Sequence, residues 1–311
     1  MKFFGRTVEL VLTINGLSGL RTITLTDPLH IEFDVTETTS DSGDAGTVGV
    51  YNISNESRSI LQLDAIGNST GVLKVGYPDN TKVIYEADIS QITDVVEGAD
   101  LKTTFTLSVG FNEKQKPAIS KSFPPQTKMS DIVKSVSSDM TTVNVDLSNL
   151  TSDKEFKRGV VVSENPYKFV EKLAKANNKK FIHVKDLMTI SDDWTKSGNV
   201  YVCSSESGMI GIPEQVTSEE DTEDLGGVVP KPNAENQTTN EKMKPKQAEL
   251  GYRVTMLLLA DILPLDYIEL SSRRLQIENM RLLVKSISHV GSNFGNDFYT
   301  IIEAYREQVK L

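Results

Sequence analysis

The chain is 311 residues long, with 43 acidic and 33 basic side chains and a formal net charge of -10. Its 38% hydrophobic residues supply ample material for a core, which excludes a wholly disordered chain and predicts two or three domains. Aromatics reach only 7% while Thr, Ser and Val recur, a mix that suits strand faces over a helical bundle; three scattered histidines and one cysteine give catalysis poor support.

Met1 and Lys2 precede an apolar stretch, but Gly5, Arg6 and Glu9 interrupt it, so no secretory signal core is present and assembly in the cytoplasm is expected. The most apolar run, 256–265, carries Asp261 and Pro264 and falls well short of the roughly 20 residues of a bilayer-crossing helix, so no membrane insertion by this chain is expected. Cys203 ends an alternating Val200-Tyr201-Val202-Cys203 stretch and reads as a buried structural thiol.

Charge divides the chain into three. Residues 1–112 hold 7 basic and 15 acidic side chains (net -8), 113–190 hold 14 and 9 (net +5), and 191–311 hold 12 and 19 (net -7). A basic middle between acidic flanks predicts three structural units with different surroundings.

The first unit reads as antiparallel β. Residues 7–14 alternate Val8, Leu10, Leu12 and Ile14 with polar or small residues, and 31–35 do the same. Turn signals stand at Asn15-Gly16 and Asp27-Pro28, and 38–46 is a polar loop. Residues 48–53 resume the strand pattern, and Ser54-Asn55-Glu56-Ser57 can cap a short helix through Leu61 and Leu63. Strands return at 72–77, 82–89 and 101–109, for a count near six that predicts a small barrel or sandwich.

The middle unit is mixed. After an extended 121–125, Met129, Ile132, Val133 and Val136 fall at helical spacing, with Ser130 or Thr127 as cap. A second helix, 166–177, has Pro166 in its first turn, Ser163 or Asn165 as cap, and Phe169, Val170, Leu173 and Ala176 on one face. Strands are expected at 159–162, 180–184 and 187–190, completing an α+β module.

In the third unit, 217–247 contains almost nothing that could form a core and is expected to be a long exposed loop. Five acids in the six positions 219–224 suggest calcium, but the EF-hand formula of Gly at its sixth and Glu at its twelfth position is not met, and a solvated linker outweighs a metal site. Strands follow at 251–259, 267–270, 275–290 and 297–304.

Chemistry is hard to find. His30, His183 and His289 lack motifs around them, and there is no Gly-x-Ser-x-Gly elbow, His-Glu-x-x-His helix or phosphate loop. Asp192-Asp193 before Trp194 could serve a glycosidase, but adjacent strand residues point to opposite faces, and a solvated turn explains them equally well. No ligand spacing supports a metal, and no cofactor is expected. Lys168, Lys172, Lys175, Lys179 and Lys180 trace one basic face, with Tyr167, Phe169 and Phe181 nearby. A solvated helix face outweighs a DNA reader, and overall negative charge argues against phosphate contact.

Three local patterns resemble the central hub proteins of bacteriophage tail baseplates, related to the hubs of contractile injection machines. Residues 31–35, followed by Gly49-Val50-Tyr51-Asn52-Ile53-Ser54, resemble the family's opening barrel, where a turn bearing Tyr51, Asn52 and Ser54 leads from a strand into a short helix. Asn165-Pro166-Tyr167 through Ala174 is similar to the helix of its inserted domain. Ser207-Gly208-Met209-Ile210-Gly211-Ile212-Pro213, then 251–258, is similar to the lead-in to its second barrel, and 289–300 fits its final hairpin. The stretch 217–247 departs from the pattern.

The resemblance implies a mainly β fold: two tube-like antiparallel β-barrels, 1–112 and 191–311, flanking an α+β domain at 113–190. It implies a non-enzymatic virion component. A homotrimer would present six barrels as a ring, dock beneath a six-fold tail tube and carry a three-fold central spike, with other baseplate proteins around it. Acidic flanks lining the channel would let DNA pass through the lumen without specific binding, and the basic middle unit would face outward towards acidic baseplate partners. The competing expectations are a distal tail or tube-initiating protein of six-fold symmetry, lacking a two-barrel repeat, and a carbohydrate-binding adhesin, which the single Trp194 serves poorly.

Overall fold

The computed structural model describes residues 5–16, 19–39, 45–64, 69–78, 80–193, 198–217 and 250–306. Of the expected loop at 217–247, Thr217 is the last residue of a strand and the rest lies outside the described residues, as do most of the polar loop at 38–46 and Trp194. The first third folds as β1 (Thr7–Gly16), β2 (Gly19–Leu25), β3 (Ile31–Thr38), β4 (Ala45–Tyr51), α1 (Asn55–Asp64), β5 (Ser69–Tyr77), β6 (Asn80–Glu97) and β7 (Asp100–Ser108). The middle holds α2 (Phe111–Gln115), β8 (Lys121–Phe123), β9 (Thr127–Lys128), α3 (Met129–Ser137), β10 (Asn144–Asp146), β11 (Glu155–Phe156), β12 (Val160–Val162), α4 (Pro166–Ala176), β13 (Lys180–Val184) and β14 (Leu187–Ser191). The last third comprises β15 (Val200–Cys203), β16 (Met209–Thr217), β17 (Leu250–Leu257), β18 (Tyr267–Ser272), β19 (Ile277–Ser292) and β20 (Phe298–Tyr305).

The chain is mainly β with an α+β insert, and its antiparallel strands alternate strictly where one face meets a core: β1 buries Val8, Leu10, Leu12 and Ile14. The first and last thirds share one 13-stranded sheet, ordered β16-β17-β20-β19-β3-β4-β7-β6-β5-β1-β2, with β18 on β19 and β15 on β18. The ladder among the described residues is open, running from β16 to β2. It nevertheless curls. In a flat sheet, β3 and β5 would stand four strand spacings apart, about 19 Å. Yet Phe33 of β3 and Tyr77 of β5 both reach the Phe298 ring, at 6.0 and 5.6 Å. Leu258 and Phe298, from the last third, therefore belong to the same buried cluster as the first-third strands, while Cys203, Val254, Leu282 and Ile302 centre a second.

Within this sheet the fold is duplicated, register by register. One four-strand row runs Thr36-Ala45-Ser108-Asp88 across β3, β4, β7 and β6. Another runs Val216-Gly251-Tyr305-Leu283 across β16, β17, β20 and β19. Asp88 and Leu283 each also pair outward, with Thr70 of β5 and Tyr267 of β18. Two residues past each, the ladder is broken by one unmatched residue, Ser90 in β6 and Lys285 in β19. Beyond that bulge the halves differ: β19 pairs 286–292 with β3, whereas β6 from 89 to 97 pairs with β7 alone.

The insert has its own core, including Met129, Ile132, Val136, Tyr167, Val170, Leu173, Met188 and Ile190. Asn165 caps α4, accepting from the Lys168 amide, with Pro166 at the first turn as expected. For α3 neither Ser130 nor Thr127 caps; the Asp153 carboxylate, far along the chain, accepts from the Ser130 amide and hydroxyl. A tertiary contact thus replaces the local cap. The insert is tied to the first-third sheet by Asp88, which accepts from the Asn112 amide and side chain at 2.9 and 2.8 Å, and to the last third by Ile182 packed on Leu265, Tyr267 and Leu283.

A candidate ring-forming edge and channel face

The strands β17, β20, β19, β3, β4 and β7 bury one face in the two cores and leave the other open, while β16 and the second half of β6, which flank them, are largely exposed on both faces. On the open face, residues line up in rows. Glu214, Arg253, Glu303 and Ser286 face one another, with Arg253 bonded to Glu303 at 2.7 Å and 3.8 Å from Glu214. The Glu303 carboxylate raises the Arg253 pKa. The next row joins Thr255, Ile301, Ser288, Thr36 and Ala45, with the Thr36 and Ser288 hydroxyls 2.8 Å apart. Asp34, Thr47, Thr106 and Gln91 form another, and Glu32, Gly49, Thr104 and Thr93 the one after. A Cβ at Gly49 would meet Lys102 Cε at 2.6 Å; glycine there lets Lys102 cross β4 to reach Glu32 at 2.8 Å. The face is hydroxyl-rich, and the acids Glu32, Asp34, Glu214 and Glu303 outnumber the bases Lys102 and Arg253.

Among the described residues, the two ends of this run of strands are unpaired edges: β16 pairs only with β17, and β6 from 89 to 97 pairs only with β7. They also carry exposed apolar side chains: Val95 (47%) and Val96 (73%) on β6, Ile210 and Ile212 (both 44%) on β16. An open edge with apolar side chains is a template for another strand.

The residues singled out from the sequence lie mostly along one rim of this sheet. Tyr51, at the end of β4, stacks on His30 at 4.5 Å and donates to Glu97 at 3.0 Å. Asn52 takes a left-handed conformation (φ 57); its side chain accepts from the Leu101 amide and donates to Asp100, tying the β4 exit to the β6–β7 turn. Ser54 accepts from the Ser57 amide at the start of α1. Ser207 donates to the Val202 carbonyl and closes the β15–β16 turn, where the Gly208 carbonyl accepts from Leu257. Gly211 (φ 77) and buried Pro213 form the bulge in β16. Pro166 lies apart, in the insert. Sequence reasoning missed β2 and β16 as strands.

The other candidates are absorbed by structure. The Asp192 carboxylate is bonded by Lys179 and by the Ser152 and Thr151 hydroxyls and amides, with Lys179 the chief cause of its lowered pKa. Burial pushes Cys203 up to about 12, leaving it inert as a thiolate. Lys172, Lys175 and Lys179 pair with Glu164, Glu171 and Asp192, so the basic face of the insert is partly neutralised internally. Among the described residues, no group of three His, Cys, Asp or Glu side chains could hold a metal ion.

Comparison with known proteins agrees with this architecture. No curated protein sequence matches the chain. A tail protein from Neisseria meningitidis superposes with a TM-score of 0.60 at 8% identity, covering 98% of this chain and 97% of that one. The prophage MuSo2 43 kDa tail protein from Shewanella oneidensis gives 0.60 at 11%, covering 96% and 98%. The Francisella PdpA-VgrG complex, half-lidded, gives 0.65 at 11%, covering 97% of this chain and 58% of that chain. At these identities the likeness is one of fold. The sequence profile of the family described as baseplate hub gp41 matches residues 7–219. The chain therefore belongs to the baseplate hub gp41 family, structural proteins of the virion tail.

Proposed function

We propose that three copies form a ring that joins a six-fold tail tube to a three-fold central spike and lines the channel through which DNA passes. In this reading the chain comprises a first tube-like unit at 1–112, an insert at 113–190 and a second tube-like unit at 191–311. The observation that carries it is the duplicated register: each chain holds two equivalent four-strand segments joined side by side, so three chains supply six. A tube initiator of true six-fold symmetry would need only one segment per chain.

The two rims favour different partners. At one rim the β6–β7 and β19–β20 hairpins end at equivalent places, giving six similar tips in a trimer, which suits the tube. At the other rim the duplicates diverge: the β3–β4 connection spans 39–44 and the β16–β17 connection 218–249, and β7 leads into the insert. That three-fold pattern suits the spike. With the open face turned inward, excess carboxylates among Ser and Thr would repel the phosphate backbone and leave no site for it to bind. Assembly in the host cytoplasm follows from this role.

Light scattering of the purified protein, with class averages from electron microscopy, tests the reading. A three-chain ring with six similar lobes is expected. A hexamer of chains, or a ring with a basic lumen, would overturn it.

A further inference from the structure

We infer that β16 of one copy adds to the free edge of β6 in a second copy, in the register that β3 already holds against β19 within the chain. The inference rests on the trimeric reading above and specifies its joint. The template is internal: beyond their matching bulges, β6 and β19 are equivalent strands with equivalent partners on one side, β7 and β20. On the other side β19 is paired with β3, antiparallel, Ser288 opposite Thr36 and Val290 opposite Asp34. The strand equivalent to β3 is β16, whose outer edge has no partner among the described residues.

Carrying the register across fixes the contacts. Thr93 stands in β6 where Ser288 stands in β19, five residues past Asp88 and Leu283. Val216 stands in β16 where Thr36 stands in β3, each at the outer end of its four-strand row. Thr93 therefore faces Val216 of the second copy on the channel face, and by the same count Ile92 meets Thr217, Asp94 meets Gln215 and Val95 meets Glu214.

One departure is accommodated. Position 96 is valine where β19 has Gly291, and it would face the place of Phe33. In β16 that place is taken by the irregular stretch between Ile210 and Glu214, so the larger Val96 meets an arched backbone with Ile212 instead of a phenyl ring. The exposed Val95, Val96, Ile210 and Ile212 would all be covered by this joint, whereas no strand among the described residues covers them.

Cysteine pairs test the register in the intact chain, because Thr93 is exposed, Val216 is only half-buried, and neither belongs to the buried clusters. On mild oxidation, the Thr93→Cys/Val216→Cys chain is expected to run mainly as covalent dimers and trimers on a non-reducing gel, with no larger species. The Thr93→Cys/Glu214→Cys chain, two residues out of register, is expected to stay mostly uncrosslinked, as are the single variants. Efficient linkage of the shifted pair, or of neither pair in a protein that light scattering reports as trimeric, would overturn this joint and leave the three-chain ring standing. A six-chain or single-chain mass for the unmodified protein would instead overturn the ring itself.

Discussion

The Arg6 guanidinium lies 5.0 Å over the Phe298 ring and donates to the backbone carbonyls of Ser292, Gly295, Asn296 and Asp297 at 2.6–3.1 Å. A residue at the start of the chain thus fastens the β19–β20 hairpin near its end, locking the first unit to the second. Replacing Arg6 by Ala removes the cation–π contact and all four bonds, and is expected to lower stability by about 1–3 kcal/mol. Arg6→Lys, a point charge without the planar fork, should recover only part of that. Urea unfolding followed by fluorescence reads the effect; a midpoint unchanged in Arg6→Ala would contradict the clasp.

The joint between the duplicates depends on a missing side chain. A Cβ on Gly291 would stand 2.6 Å from Phe33 Cζ and 2.9 Å from Phe298 Cδ2, both rings packed in the shared core. Gly291→Ala should cost about 1–3 kcal/mol by overpacking, and Gly291→Val more. Val96, its equivalent on the unpaired edge, is 73% exposed, so Val96→Gly should change monomer stability far less. Equal effects at the two positions, measured by thermal unfolding at concentrations low enough to dissociate the copies, would deny that within a single chain the internal joint is filled and the outer one open.

Much of the β framework was legible because burial on one face forces alternation: 7–14, 31–35, 72–77 and the strands after 250 could be read from their period. What escaped has physical causes. In β2, Leu20 is 70% exposed and only Leu25 is buried, so the strand carries no core period to read. In β16 the break between Ile210 and Glu214 disrupts the alternation. The cap of α3 comes from Asp153, invisible to a local rule. The duplication was implied by the family resemblance but could not be read from the residues themselves, because it lives in hydrogen-bond register: Thr36 matches Val216, and Asp88 matches Leu283, with no shared chemistry to betray them. Of the eight residues picked for the resemblance, Tyr51, Asn52, Ser207 and Gly208 gather at turns on one rim, while Pro166 serves only its helix.

Acid should loosen the assembly from within. Burial lowers the His289 pKa from 6.5 to about 4; the ring bonds the Thr300 hydroxyl directly behind the β19–β3 joint. His183, in the insert beside Tyr167, Lys114, Glu113 and Asp186, is likewise lowered to about 4 by burial and then by Lys114. A histidine lowered on folding stays neutral in the native state while the unfolded chain takes up protons. Stability is therefore full above pH 6.5 and falls between 6.5 and about 4, by on the order of 3 kcal/mol per group. Asp88, raised by burial, acts in the opposite direction and blunts the acid end of that window. Melting temperatures across the window should fall with pH in the unmodified protein and fall less in the His183→Gln/His289→Gln protein, judged by slope. Parallel slopes would show that neither imidazole is the source.

The proposed channel face makes a last demand. If repulsion and the absence of binding groups keep DNA moving, the face should tolerate changes among its hydroxyls but not a reversal of its charge. Asp34 and Thr106 lie in one row, separated only by Thr47, and point away from both cores. Asp34→Lys with Thr106→Lys turns that row basic in every copy without altering the buried side of the sheet. The unmodified ring is expected not to retain short duplex DNA even at low salt, whereas the lysine ring should bind it, with affinity falling steeply as salt rises because counterions are released from the phosphates. Retention by both rings alike, in a filter or mobility assay, would mean that the excess of Glu32, Asp34, Glu214 and Glu303 over Lys102 and Arg253 does not govern passage.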